Sequence, residues 1–109
     1  FEDVKPVLEI LSKKYKLGIF SEGSIYYQRN KFLQLGITDY LQKDLIYIVP
    51  NKRTTEVINA VPDCIIIDDN PDVIEAINNY KNHDIKTFHI DRFKNDSKIR
   101  TLFDFEKLL

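Results

Sequence analysis

Three carboxylates stand within five positions of this chain, in Asp68-Asp69-Asn70-Pro71-Asp72, directly behind the apolar run Cys64-Ile65-Ile66-Ile67. Carboxylates this close repel one another unless positive charge lies among them, and a divalent cation answers that need. Hard oxygen donors suit Mg²⁺, which takes a few carboxylates and completes its shell with water and phosphate oxygens. Asp68 ends a strand, Asp69 follows in the loop, and Asp72 enters the first turn of a helix opened by Pro71. First-turn side chains aim back toward the strand end, so all three are placed to converge on one point. A purely structural alternative stays open: Asn70 caps the helix, Asp72 complements its dipole, and Asp68 marks the strand end.

Two earlier positions carry related chemistry. Ser21, followed by Glu22 and Gly23, ends a strand. Its hydroxyl and the backbone N–H groups freed by a glycine turn can hold a phosphate oxygen, or the segment is simply a helix-capping loop. Lys52 follows a strand and the turn Pro50-Asn51. An ammonium there neutralises charge on a transferring group, whereas the ordinary alternative is a solvated loop lysine. Arg53 competes for the same role. His83 and His89 lack any serine, cysteine or carboxylate arrangement of a triad or zinc site, and read as structural or surface residues. Tyr26 and Tyr27 either line an entrance near Ser21 or cover a sheet face.

The elements that must position these residues alternate along the chain. Val4, Val7, Leu8, Leu11 and Tyr15 repeat at helical spacing and predict a helix over 2–15, with Pro6 in its first turn. Strands are predicted over 16–20, 45–49, 63–67 and 86–90, and helices over 24–35, 52–60 and 71–80. Ser24 is a candidate N-cap, Gly36 a candidate stop, and an amphipathic piece over 99–109 closes the chain. Such alternation predicts an α/β fold, a Rossmann-like three-layer parallel sheet with helices on both faces. The 63–67 strand, the most apolar of the four, is expected in its middle and covered on both sides.

Composition bounds the rest. The 109 residues suit one domain, and 16 basic against 17 acidic residues give a net charge of −1, so no nucleic-acid-binding face is expected. Cys64, the single cysteine, excludes an internal disulfide framework, reads as a small buried residue and fits a reducing, cytoplasmic compartment. No apolar run has the length of a signal peptide or a membrane span.

Serine after one strand, lysine after the next and paired aspartates after the third form an ordered series. The series resembles the haloacid dehalogenase superfamily of Mg²⁺-dependent phosphohydrolases, whose motifs sit at successive strand ends. Leu17-Gly18-Ile19-Phe20-Ser21-Glu22-Gly23 is similar to the family's second motif, Lys52 in Pro50-Asn51-Lys52-Arg53 to the third, and Ile65-Ile66-Ile67-Asp68-Asp69-Asn70-Pro71-Asp72 to the fourth. The stretch 28–41 resembles the link that follows the second motif. The resemblance implies a small phosphorylated substrate and an aspartyl-phosphate intermediate. It assigns Ser21, with Glu22 and Gly23, to the phosphoryl oxygens, Lys52 to the nucleophile and intermediate, and Asp68 with Asp69 or Asp72 to Mg²⁺.

The family's first motif, Asp-x-Asp-x-Thr/Val, has no counterpart, since Asp3 stands alone in a helix pattern and Asp91 comes too late. The chain begins at Phe1 in the approach to a helix, and is expected to be the C-terminal part of a longer protein. The central nucleophile strand is then absent, and pairing with an N-terminal segment or a second chain is expected to supply it. A non-catalytic relative used as a binding or regulatory module is the alternative. A phosphoacceptor signalling domain has its lysine after its carboxylates, the reverse of the order here. A dinucleotide-binding unit needs a Gly-rich loop that no strand here precedes.

Overall fold

Helix and strand alternate as these periodicities predict in the computed structural model, which describes residues 2–94 and 97–109. The chain divides into two units, Phe1–Asn51 and Lys52–Leu109. In the first, Val7 and Leu11 lie one turn apart on α1 (Val4–Ser12) and are both buried. Ile37 and Leu41 are buried in the same unit, where α1 packs against β1 (Leu17–Glu22), the parallel partner of β2 (Leu41–Val49). Between these strands run α2 (Ile25–Gln34) and a 3₁₀ turn, Thr38–Tyr40.

Gly18 sets the approach of β1 to β2. The register jumps there, from Leu17 opposite Leu41 to Ile19 opposite Ile46. A Cβ on Gly18 would lie 2.4 Å from the Leu45 carbonyl oxygen, so no larger residue fits without moving the backbone. β2 begins four residues before the predicted 45–49 strand, because buried Leu41 joins the ladder ahead of three exposed polar residues. Tyr26 and Tyr27 are 85% and 68% exposed, so neither covers a sheet face.

The second unit holds α3 (Thr55–Ala60), β3 (Cys64–Asp68), α4 (Pro71–Tyr80), β4 (Ile85–His89) and α5 (Leu102–Leu108). β3 and β4 are parallel partners, and among the described residues neither has a second strand neighbour. Consecutive strand residues point to opposite faces. Thr87 therefore meets Asn78 of α4 at 3.0 Å, while Phe88 packs edge-on to Phe105 of α5. Ile66, opposite Thr87, is buried on the α4 side, but Ile65, opposite Lys86, is 45% exposed. The expectation that this strand is covered on both faces is thus corrected: its second face meets a lysine and a seven-residue helix. The four strands form two parallel pairs, and no helix of the described residues is long and apolar enough to cross a membrane.

Two consequences can be measured. Gly18→Ala forces the β1–β2 contact apart and lowers stability by about 2 kcal/mol or more, read from the denaturant midpoint. In the capping box of α5, Thr101 accepts from the Asp104 N–H while Asp104 accepts from the Arg100 and Thr101 N–H groups. Those bonds, Arg100 foremost, hold the Asp104 carboxyl below its usual 3.8. A value lowered on folding adds stability in full above about pH 4 and loses it as pH falls through the folded value. The stability gap between wild type and Asp104→Asn therefore narrows below about pH 4 in acid titrations of unfolding.

Candidate functional site

β3 delivers Asp68 to the end of a parallel strand, and the chain must then turn sharply into α4. Asp68 itself makes that turn: its Oδ1 accepts the Asn70 N–H at 2.8 Å. Asn70 repeats the device, accepting the Asp72 N–H at 2.9 Å as the N-cap of α4, with Pro71 in the first turn. Short polar side chains binding the backbone two residues on are what allow a strand to become a helix within three residues.

The other carboxylate oxygen, Oδ2, faces the Lys52 ammonium at 2.6 Å. Both side chains are largely withdrawn from water, 14% exposed for lysine and 7% for aspartate. Thr54 is responsible for placing Lys52. Its hydroxyl accepts the Val57 N–H and starts α3 at Thr55, which leaves Lys52 in the preceding loop rather than in the predicted 52–60 helix. Arg53 is exposed, and Lys52 is the cation that meets Asp68.

The convergence predicted for the three aspartates is not what the loop builds. Asp69 and Asp72 are exposed, and among the described residues no three His, Cys, Asp or Glu side chains gather as a metal-holding group. The donors are nonetheless of the right kind. Mg²⁺ commonly takes one or two carboxylates and fills its shell with water and substrate oxygens, so this hard anionic loop fits it chemically.

Ser21 and Glu22 lie within β1, the strand running two residues beyond its predicted end, so they are paired residues opposite Ile48 and Val49. The Gly23 N–H, expected to be free for a phosphate oxygen, donates to the Val49 carbonyl at 3.0 Å. Gly23 takes φ +134, a region that favours glycine, and the turn is braced by the Gln28 side chain on the Glu22 carbonyl. Ser24 stands at the N-cap of α2 without a capping bond from its hydroxyl.

The histidines both find backbone carbonyls. His83 reaches the Val61 carbonyl through Nε2 at 2.7 Å and so ties the loop after α4 to the end of α3. His89 reaches the Asp69 carbonyl through Nε2 at 3.0 Å, inside the candidate site. The sequence carries a faint signal for this contact, since His89 shares the face of Thr87. Only the β3–β4 register, with Asp68 opposite His89, makes that signal readable. Cys64 is half-buried rather than buried, and burial, then the charge of Asp63, push its thiol up.

Comparison with protein-family profiles, with characterised proteins and with solved structures returns no match to this chain.

The ion pair predicts strong coupling. Asp68→Leu or Lys52→Met alone strands a desolvated charge and costs about 2–4 kcal/mol, while the double variant costs clearly less than the sum. A double-mutant cycle in denaturant measures the difference.

Proposed function

We propose that the chain carries the cation-binding and charge-neutralising part of a Mg²⁺-dependent phosphohydrolase site. The observation that carries this reading is the Lys52–Asp68 pair at the carboxyl end of a parallel strand. Open α/β sheets bind their ligands at such strand ends. The pair offers both kinds of group that phosphoryl transfer needs, a carboxylate for a metal and an ammonium for the reacting phosphate. The order of Ser21, Lys52 and Asp68-Asp69 along the chain supports the same assignment through the resemblance to haloacid dehalogenase phosphohydrolases.

In this reading Asp68, aided by Asp69 or Asp72, holds Mg²⁺, which when bound offsets negative charge on the transferring group. Lys52 orients the reacting carboxylate and phosphoryl oxygens, its distance from Asp68 keeping the ammonium desolvated and directed. Ser21, with Glu22 and Gly23, keeps its phosphoryl-binding role on the resemblance alone. In this reading the nucleophilic carboxylate is supplied from outside these residues. Two features favour a strand as the missing part: β1 and β3 each have a single strand neighbour among the described residues, and Ile65 is 45% exposed.

The decisive assay follows hydrolysis of an aryl phosphate with Mg²⁺ by the full-length natural polypeptide that carries these residues. Turnover that falls about 100-fold or more in both Asp68→Asn and Lys52→Ala supports the reading. Absence of turnover with retained phosphate binding points instead to a non-catalytic binding module, and wild-type rates in Asp68→Asn contradict the proposal.

A further inference from the structure

Asp69 and Asn70 share one peptide plane, and both ends of that plane are held. Its N–H, belonging to Asn70, donates to Asp68 Oδ1 at 2.8 Å. Its carbonyl, belonging to Asp69, lies 3.0 Å from His89 Nε2. A carbonyl only accepts, so Nε2 carries the proton in this contact. The peptide is planar and trans, which places the two groups on opposite sides of one rigid unit. Rotating that unit breaks both bonds together.

We propose that His89 is a positioning residue for the candidate site, clamping the Asp69–Asn70 peptide and thereby orienting the Asp68 carboxylate toward Lys52. The inference rests on the reading that Asp68 and Lys52 form the binding centre. His89 is suited to the task by its register: it is opposite Asp68 on the β3–β4 ladder, on the α4 side of the sheet. The neighbouring Ile90 N–H holds the Asp68 carbonyl at 3.1 Å, so the strand anchor and the ring act on successive peptides. Beyond the loop, the Asn70 carbonyl accepts the Val73 and Ile74 N–H groups of α4. The ring is thus the second side-chain bond, beside that of Asp68 Oδ1, that stops the Asp69–Asn70 peptide from turning. Without it, Oδ1 loses its fixed donor, and Asp68 divides its two oxygens between Lys52 and solvent in any orientation.

The test compares wild type with His89→Phe, His89→Gln and Asp68→Asn. Amide hydrogen exchange reads the clamp, and Mn²⁺ titration, as a spectroscopic substitute for Mg²⁺, reads the site. In His89→Phe the Asn70 amide exchanges about 5-fold faster, the worth of one hydrogen bond, while Ile66 and Ile77 keep their protection. Mn²⁺ binding weakens about 10-fold, as for other outer partners of metal ligands. His89→Gln, which retains an N–H donor, recovers part of both. Unchanged Asn70 exchange in His89→Phe overturns the proposal. So does a loss of protection spread evenly over β3, β4 and α4 with a lower melting temperature, which marks a merely structural residue. Should Asp68→Asn leave Mn²⁺ binding untouched, the binding reading fails, and Asn70 exchange still decides the clamp.

Discussion

A carboxylate that is 7% exposed is tolerated at the end of a strand only because a cation meets it, and Lys52 does so at 2.6 Å. Removing an ion from water costs several kcal/mol, and attraction between partners repays this only with good geometry and with the remaining lone pairs engaged. Both conditions hold here. One Asp68 oxygen faces the ammonium and the other caps the Asn70 N–H, so charge pairing and chain reversal are performed by one side chain. The α3 loop, the end of β3 and the start of α4 are thereby joined through Asp68.

The same arrangement gives the site its chemical character. Apolar residues of similar volume often replace a buried ion pair without loss of stability, so the presence of this one is weak evidence for a purely stabilising role. The pair presents both signs of charge at the end of a parallel strand, with Asp69 and Asp72 exposed in the adjoining loop and first helical turn. In the proposed reading, the two signs of charge answer a metal and a phosphate respectively. The supporting bonds run outward from it: Asn70 caps α4, the Ile90 N–H holds the Asp68 carbonyl, and His89 holds the next one.

Much of this was legible in the residues. The helix over 71–80 is found with its predicted bounds, because Asn70, Pro71 and the buried Val73 and Ile77 all mark the same element. Lys52 and Asp68 are each marked by type and position, yet their contact spans 16 residues and depends on how Thr54 starts α3. The early part of β2 was hidden because Gln42, Lys43 and Asp44 are exposed and polar, as in a loop, while pairing with β1 makes them strand. The gathering of three aspartates failed for a related reason. Sequence spacing puts Asp69 and Asp72 near Asp68, but the turn spends its local bonds on capping, and both side chains face solvent. His89 was out of reach because its role follows from strand register, which no periodicity within one strand reveals.

The central claim is that the Lys52–Asp68 pair is a binding centre rather than a structural tie. An NMR titration of the ¹⁵N-labelled chain with Mg²⁺ and orthophosphate addresses it most directly. The account predicts saturable shifts concentrated at the Lys52 and Asp68 to Asp72 amides, lost in Asp68→Asn while the remaining spectrum stays folded. Shifts located elsewhere, or a response at these amides that persists in Asp68→Asn, would contradict it.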